Sequence, residues 1–340
     1  MEKTNVLKQI PHIVTIGGGG GATQVLRAVA PFAAGRSAVI AVTDTGRSTG
    51  VARAIASIPA PGDLRATIAA FAENSAMAQL LQHRFSGAGV PQLEGMAFGN
   101  LLIAALAEQL GDFGAAVARV AALAETSIDV MPVSVVDTQL CAELADGSVR
   151  VGELEVRGQN KPAITRLFLR DPAPANPAAL AAIQAADMVV LGPGSLFTTV
   201  LATLQHEGLI AALRETPAQV VYVCNTTTQP GQTDGFSALD HVRQIVAALG
   251  PHALDAALIN RSSPDQAALR QYEAEGLFLL VPDDAEIAAI AAGGVRPVVA
   301  VLTEAVGEKR AIWNKQDTVR HDTAALGAAL KSLYSGEQRY

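Results

Sequence analysis

The sequence predicts an α/β protein with a Rossmann-like, three-layer fold built on a mainly parallel β-sheet. Two observations predict this class. Short β-branched runs alternate with Ala/Leu-rich helical segments, and a glycine-rich turn follows the first of those runs. The runs are apolar at consecutive positions, as in strands that are buried on both faces. The 340 residues contain no Pro/Ser/Gly linker and no internal repeat, so we expect a single domain over 1–340.

The strand pattern occurs at 12–16, 38–42, 188–191, 219–223 and 256–259. Helical patterns follow the first strand over 23–29 and precede the third over 177–185. Residues from about 64 to 124 are almost entirely helical in pattern, which predicts a helical insertion. Residues 131–156 instead alternate around Asp146-Gly147, a pair typical of hairpin turns. This segment predicts a β-hairpin excursion attached to the sheet.

Composition excludes several classes of protein. Half of the residues are hydrophobic and 17% are charged, which excludes global disorder. The 32 acidic and 25 basic side chains give a net charge of -7, without the basic footprint of a nucleic-acid-binding protein. Cys141 and Cys224 form no CxxC pair, and we expect both to be reduced core residues, as in a cytoplasmic protein. No signal peptide and no run of about 18–20 apolar residues is evident, so no membrane span is predicted.

The glycine run 17–21 stands directly after a strand and before a helix. Such a run lets the backbone approach an anion, and the helix N-terminus adds N–H donors and a favourable dipole. Gly17, Gly19 and Ala22 fit the G-x-G-x-x-G/A dinucleotide-binding pattern. Five glycines satisfy the dinucleotide-binding pattern trivially, so a tight strand–helix turn stays the alternative.

A second polar loop, 43–50, ends the second predicted strand. Asp44 lies about where a Rossmann unit places its ribose-binding acid, and Ser48 adds a hydroxyl. A capped polar loop is the alternative reading. Asp63 and Asn100 each lie at the start of a helical pattern, where Asp63 is a candidate N-cap; taken alone, both are typical of helix starts.

Two further polar loops follow later strands, at 192–199 and 225–233. Their candidate binding residues are Gly192, Gly194 and Ser195 in the first loop, and Asn225, Thr228 and Gln229 in the second. Each loop could be only a capped turn. Because loops after parallel strands converge on one edge of the sheet, the four together predict a site for a phosphorylated or nucleotide ligand.

The order of these motifs resembles the YvcK family, also called the gluconeogenesis factor family, within the superfamily of CofD-like 2-phospho-L-lactate transferases. The resemblance runs from His12 to about Leu330. It is carried by IGGGGG at 16–21, TDTGRSTG at 43–50, PAPGDLR at 59–65, LEGMAFGN at 93–100, ADMVVLGPGSLFTTV at 186–200, CNTTTQPGQT at 224–233, DH at 240–241 and VRHD at 319–322.

The resemblance implies a cytoplasmic bacterial protein that binds a nucleotide, above all a UDP-sugar. It also implies a link to cell shape and wall synthesis during growth on gluconeogenic carbon sources. It implies that Gly18, Gly19, Gly21 and Thr23 lie under the ligand, and it adds Tyr272 and Arg320 to the expected ligand contacts. The apolar composition further suggests self-association, without locating an interface. The base, the sugar and any protein partner stay open.

The sequence departs from the family pattern at positions that bear on catalysis. Thr45 stands where a second acid is usual, Met96 and Ala97 stand where His and Ser are usual, and Gly20 replaces a usual Thr. Losing an acid removes a potential Mg²⁺ ligand, and losing the His removes a potential acid or base. The departures favour a non-catalytic, nucleotide-sugar-responsive regulator. The alternative is a transferase that moves a phosphate-containing group from a nucleotide-activated donor, with Mg²⁺ on Asp44 and Asp63.

One expectation concerns the role of the glycine run. If β-carbons at Gly19 and Gly21 projected into a phosphate-sized space, the run would serve binding and not folding. Gly19→Val would then weaken nucleotide binding at least tenfold, or about 1.4 kcal/mol, in a chain that stays folded.

Overall fold

The computed structural model describes residues 11–87, 89–262, 266–304 and 319–336. The strands within them are β1 His12–Gly17, β2 Gly35–Ile40, β3 Asp129–Pro132, β4 Leu140–Leu144, β5 Val149–Val151, β6 Ile164–Leu169, β7 Met188–Leu191, β8 Gln219–Val223, β9 Ala256–Asn260 and β10 Arg296–Ala300. The helices are α1 Gly19–Val29, α2 Arg47–Ala56, α3 Gly62–Ala70, α4 Ser75–Gln82, α5 Phe98–Leu110, α6 Phe113–Leu123, α7 Glu153–Arg157, α8 Pro177–Gln184, α9 Ala202–Leu204, α10 Leu209–Glu215, α11 Ala238–Leu249, α12 Gln266–Glu273, α13 Asp284–Ala292 and α14 Thr323–Ser335. A 3₁₀ turn at Pro91–Leu93 and a π-helix at Leu196–Leu201 complete them.

The main sheet has seven strands in the order β10-β9-β8-β7-β1-β2-β3, and every neighbouring pair is parallel. The predicted Rossmann-like α/β class is therefore confirmed. The five strands predicted from sequence correspond to β1, β2, β7, β8 and β9, and the structure adds the two edge strands β3 and β10. Four helices, α3 to α6, fill the segment predicted as a helical insertion.

Both faces of the main sheet are covered, because successive residues of β7, β8 and β9, and Ile13 and Val14 of β1, enter different apolar cores. Ile13 packs with Val25 and Leu330, on the side where α1 and α14 lie. Its neighbour Val14 packs into the larger core on the opposite face, together with residues of α3, α5 and α6 such as Ile68. Strands that are buried on both faces need apolar residues at consecutive positions, which is the pattern seen in the sequence.

The β-hairpin excursion is present but belongs to a sheet of its own. β4 and β5 are antiparallel around the turn at Asp146-Gly147, and Gly147 has a φ of +81°, which favours glycine. β4 also pairs with β6, which gives the order β5-β4-β6. The expectation that the hairpin attaches to the main sheet is therefore wrong. The physical reason is that β6 supplies the partner that the free edge of the hairpin needs.

The two cysteines are free and buried, as expected for reduced core residues. Burial raises the pKa of the Cys224 thiol to about 12, so this thiol stays protonated. Among the described helices, none combines the length and the apolar character that crossing a bilayer requires.

Candidate functional site

The chain reverses its direction of travel across the main sheet between β1 and β7. From β1 it moves outward through β2 to β3, and it returns to build β7 to β10 on the other side. In open α/β sheets, ligands bind outside the carboxyl ends of the strands at such a switch point. A cavity of about 690 Å³ lies there, within the size range of small-molecule sites.

The cavity is lined by residues from all four predicted loops. The predicted site residues among them are Gly18, Gly19, Gly21, Thr23, Asp44, Asp63, Gly194, Ser195, Asn225, Gln229 and Arg320. They come from the ends of β1, β2, β7 and β8, from α3 and from the segment before α14. The structure therefore brings together residues that are far apart in sequence.

Ser48, Asn100 and Gly192 are not among the lining residues. The Ser48 hydroxyl accepts hydrogen bonds from the Ala97 N–H (2.8 Å) and from Asn100 Nδ2 (3.1 Å). These bonds tie α2 to the start of α5. Gly192 has a φ of +75° and forms the turn that leaves β7.

Thr228 and Tyr272 also lie outside the lining. The Thr228 hydroxyl donates to the Gly276 carbonyl (3.2 Å) and accepts from the Phe278 N–H (2.9 Å). Tyr272 is 3% exposed and packs with Leu277 and Val319, two residues that do line the cavity. Tyr272 thus lies one layer behind the wall.

Asp63 acts on the glycine run. It lies in the first turn of α3, but the N-cap of α3 is Pro61, so the expectation that Asp63 caps its own helix is wrong. Its carboxylate instead accepts a hydrogen bond from the Gly19 N–H at 2.8 Å. The carboxylate satisfies the first free amide of α1, a role that residues outside a helix often take.

The glycines of the run are required by packing between loops. A β-carbon on Gly19 would lie 2.8 Å from the Asp63 carbonyl oxygen, and one on Gly21 would lie 1.7 Å from the Pro193 carbonyl oxygen. The expectation that these positions face a phosphate-sized space is therefore wrong, because protein backbone already fills it. Gly20 differs, since a β-carbon there would meet nothing within 4 Å.

Ser195 links the loop after β7 to the loop after β8. Its hydroxyl donates to Gln232 Oε1 (2.8 Å) and accepts from the Thr198 N–H (3.3 Å) and the Thr198 hydroxyl (2.8 Å). The serine therefore caps the π-helix, as Ser commonly does at helix starts.

A buried arginine fixes the loop that carries Asp44. Arg53 is 7% exposed and donates to the backbone carbonyls of Asp44 (3.0 Å) and Thr138 (2.6 Å). It also pairs with the Asp137 carboxylate at 2.7 Å. The guanidinium therefore joins this ligand loop to the segment that leads into the small sheet.

The small sheet supplies part of the wall that sequence reasoning missed. Glu153 and Arg157 of α7, together with Gln159, line the cavity. Glu153 and Arg157 form an i,i+4 ion pair with Nη1–Oε1 at 3.1 Å. The spacing alone is common on helix surfaces, so nothing local in the sequence identifies these residues as part of a site. Further lining residues outside the predicted set include Gln24, Arg27, Gln232, Glu304, His321 and Thr323.

His321 is a buried histidine in the wall. Burial lowers its pKa to about 4, so the ring is neutral at physiological pH. Its Nε2 lies 3.1 Å from the Cys224 carbonyl oxygen. Because a carbonyl can only accept, Nε2 carries the proton and Nδ1 keeps its lone pair.

Two residues that line the cavity have unsatisfied amide oxygens. Asn225 Oδ1 and Gln229 Oε1 are buried and form no hydrogen bond among the described residues. Buried polar atoms without partners are uncommon in native structures and often mark a place where a ligand or water completes the site. No group of three or more His, Cys, Asp or Glu side chains arranged to hold a metal ion is found in the described part of the chain.

Comparison with known proteins identifies the family. The family model described as 2-phospho-L-lactate transferase CofD matches residues 13–302. A putative gluconeogenesis factor of Deinococcus radiodurans is 39% identical over 334 residues, which cover 96% of this chain and 67% of that protein. The gluconeogenesis factor of Bacillus subtilis is 32% identical over 330 residues, which cover 96% and 98% of the two chains.

Solved structures agree with the sequence matches. A crystal structure of a UPF0052-family protein from Bacillus halodurans shares this fold with a TM-score of 0.84 at 31% identity. The match covers 94% of this chain and 99% of the other. Sequence and structure together show that the chain belongs to the gluconeogenesis factor family, within the wider CofD-like group.

Proposed function

We propose that this chain binds a nucleotide sugar of the UDP type in the switch-point cavity and acts as a cytoplasmic regulator. The regulated process, by analogy with the family, is cell shape and wall synthesis during growth on gluconeogenic carbon sources. The observation that carries the binding proposal is the composition of the cavity wall. Glycine backbone, neutral amides and hydroxyls from three strand ends surround one space of about 690 Å³.

The neutral amides favour a ligand with a sugar or a base over a bare anion. Asn225 and Gln229 have unpaired oxygens that a ligand N–H or O–H could satisfy after small side-chain adjustments. His321 Nδ1 adds a neutral acceptor, since the ring stays neutral with its one proton on Nε2. A nucleotide sugar offers such donors at both of its ends and phosphates between them.

A non-catalytic role is preferred because the positions that carry reactive groups in the family pattern are inert here. Met96 and Ala97 are buried, and neither lines the cavity. Thr45 offers a hydroxyl in place of a carboxylate, and that hydroxyl accepts a hydrogen bond from the Leu154 N–H at 3.3 Å.

The second candidate is a Mg²⁺-dependent transferase. It is favoured by one observation, namely that Asp44 and Asp63 both line the cavity. Mg²⁺ is often held by one or two carboxylates together with the phosphates of a substrate, so two acids fit such a site. The ion, when bound, would neutralise phosphate charge during group transfer.

The experiment that tests both candidates is a thermal-shift panel of UDP-GlcNAc, UDP-glucose, GDP, NAD and NADP, each with and without Mg²⁺. A ligand at 100 times its Kd stabilises the chain by about 2.7 kcal/mol. We expect UDP-sugars to raise the midpoint temperature of unfolding. We also expect no product to form from them in the same mixtures. Turnover of any donor would establish the transferase, and no shift with any nucleotide would contradict both candidates. Asp63→Asn is the matched variant for the Mg²⁺ arm, because it removes one carboxylate charge and keeps the oxygen that bonds Gly19.

A further inference from the structure

At the switch point, an N–H group at the start of α1 and one at the start of the π-helix are already hydrogen-bonded to side chains. The Gly19 N–H of α1 is bonded to the Asp63 carboxylate at 2.8 Å. The Thr198 N–H of the π-helix is capped by the Ser195 hydroxyl at 3.3 Å. A phosphate at the start of α1 would also face the negative charge of Asp63, which is unfavourable at short range. The expected position of an anion in a Rossmann-like fold is therefore obstructed here.

Arg157 supplies a positive charge and N–H donors for a phosphate, which these helix ends do not. It lines the cavity, and its side chain is 30% exposed. A guanidinium has five N–H donors, and in the described structure the hydrogen bond of Arg157 is the one to Glu153 Oε1. The Arg53 guanidinium, by contrast, already donates hydrogen bonds to the Asp137 carboxylate and to three backbone carbonyls. Arg157 can therefore take new acceptors without losing existing structure.

Glu153 holds Arg157 in place without covering it. The Glu153 side chain is 8% exposed and that of Arg157 is 30% exposed, so the guanidinium is the more accessible partner of the pair. Their single 3.1 Å bond is not the bidentate geometry that would occupy both Nη groups. The arginine is thus oriented before a ligand arrives, which lowers the entropy lost on binding.

Two ligand loops fix the segment that carries Arg157. At one end of α7, the Leu154 N–H donates to the Thr45 hydroxyl in the loop after β2 (3.3 Å). At the other end, Gly158 approaches the loop after β8 so closely that a β-carbon on Gly231 would lie 2.4 Å from the Gly158 carbonyl oxygen. Lys161 also donates to the Gly231 carbonyl. Arg157 is therefore held between two sides of the cavity.

We propose that Arg157, supplied by the helix α7 that connects β5 and β6 of the small antiparallel sheet, binds the phosphate groups of the ligand. The proposal rests on the proposed nucleotide binding and adds the location of its anionic part. The phosphates would lie against α7, away from the carboxylate at the start of α1. Arginine suits this role because its planar fork matches phosphate oxygens.

The test compares UDP with uridine, which lacks the phosphates, in titrations of the full chain by calorimetry. We expect Arg157→Gln to weaken UDP binding about tenfold or more and to leave uridine binding unchanged. The affinity of the variant for UDP should also depend less on NaCl concentration than that of the wild type. Arg157→Lys should restore part of the UDP affinity, because it keeps the charge and loses the fork.

The matched control is Arg166→Gln, because Arg166 lies in β6 of the small sheet to which α7 is connected. Its side chain is 61% exposed and is outside the cavity lining. The Arg166→Gln variant should bind both probes as the wild type does. Glu153→Gln should bind UDP more tightly, because it removes a competing negative charge. The double variant Glu153→Gln/Arg157→Gln, which leaves no unpaired buried carboxylate, should stay folded and bind UDP as weakly as Arg157→Gln.

The outcomes separate this proposal from the one on which it rests. If the wild type binds neither UDP nor a UDP-sugar, with or without Mg²⁺, the proposed function itself is wrong. If the wild type binds UDP and Arg157→Gln binds it equally well, the phosphates lie elsewhere and this inference is wrong. Equal losses for UDP and uridine would also overturn it, because Arg157 would then only hold the wall together.

Discussion

Gly21 and Pro193 are in direct backbone contact: a β-carbon on Gly21 would lie 1.7 Å from the Pro193 carbonyl oxygen. The contact joins the first turn of α1, which follows β1, to the loop after β7, and β1 and β7 are the two strands at the switch point. The glycine run therefore has a structural role in bringing the loops together, besides any role toward a ligand.

This contact predicts opposite effects for two neighbouring glycines. Gly21→Ala should lower the free energy of unfolding by about 2–3 kcal/mol, because the new methyl group forces two backbones apart. Gly20→Ala should raise it by about 0.4–1 kcal/mol, because the position is helical and open. Urea unfolding of both variants measures the difference. Equal stability of the two variants would show that the loops can separate without cost.

Arg53 is predicted to be the more costly of two ion-paired arginines to remove. Arg53→Met should destabilise the chain by about 2–3 kcal/mol, because a charged donor to Asp137 and to backbone carbonyls is lost from a buried site. Arg166→Met removes an exposed pair with Glu143 and should cost less than about 1 kcal/mol. Chemical unfolding checks both. If the two variants lose similar amounts, the Arg53 network is not holding the Asp44 loop.

His321 is predicted to make the fold sensitive to acid. Its pKa is about 4 in the folded chain and near 6.5 when unfolded, so the unfolded state binds the proton more readily. The stabilisation is therefore present above pH 6.5 and is lost as the pH falls toward 4. Between pH 7.5 and pH 5 this residue should account for a loss of about 2 kcal/mol.

The matching measurement is the free energy of unfolding of wild type and His321→Gln at the two pH values. The variant should lose less stability on acidification by about that amount. Burial also lowers the pKa of His206 and His241, so the remaining acid sensitivity of the variant should have the same sign. An unchanged pH dependence in the variant would contradict the assignment to His321.

Asp63 is predicted to stabilise the start of α1 mainly as a hydrogen-bond acceptor. Asp63→Asn keeps an oxygen for the Gly19 N–H and should cost less than about 1 kcal/mol. Asp63→Ala leaves that amide without its side-chain partner and should cost about 1–2 kcal/mol, as for a lost helix cap. Thermal unfolding of the two variants distinguishes them. Equal losses would mean that the charge, and not the hydrogen bond, is what matters.

The sequence predicts strands inside the main sheet but not the two strands at its edges. β7 and β8 lie inside it and are wholly or largely buried, so their residues are apolar at nearly every position. β3 and β10 are its two edges, and each contains a proline, Pro132 and Pro297. Proline is tolerated on edge strands but weakens the strand signal, which is why these two were not found.

The site residues also fall into a group that the sequence predicts and a group that it does not. Gly19, Ser195 and Asn225 follow predicted strands, so the parallel topology alone places them at one edge of the sheet. Arg157 lies in α7, between β5 and β6 of the small sheet, and its position at the cavity depends on long-range contacts such as Gly158 with Gly231. Contacts of that kind have no signature in local composition or spacing. The packing of Gly21 on Pro193 was missed for the same reason.

The pairing of β1 with β7 also has a consequence for how the site comes into being. Ile13 lies beside Met188 in the sheet, although the chain between them builds five other strands. β1 and the loop after it leave the ribosome before the loops after β7 and β8, which follow more than 170 residues later. The cavity therefore cannot exist on a nascent or truncated chain that lacks β7 and β8.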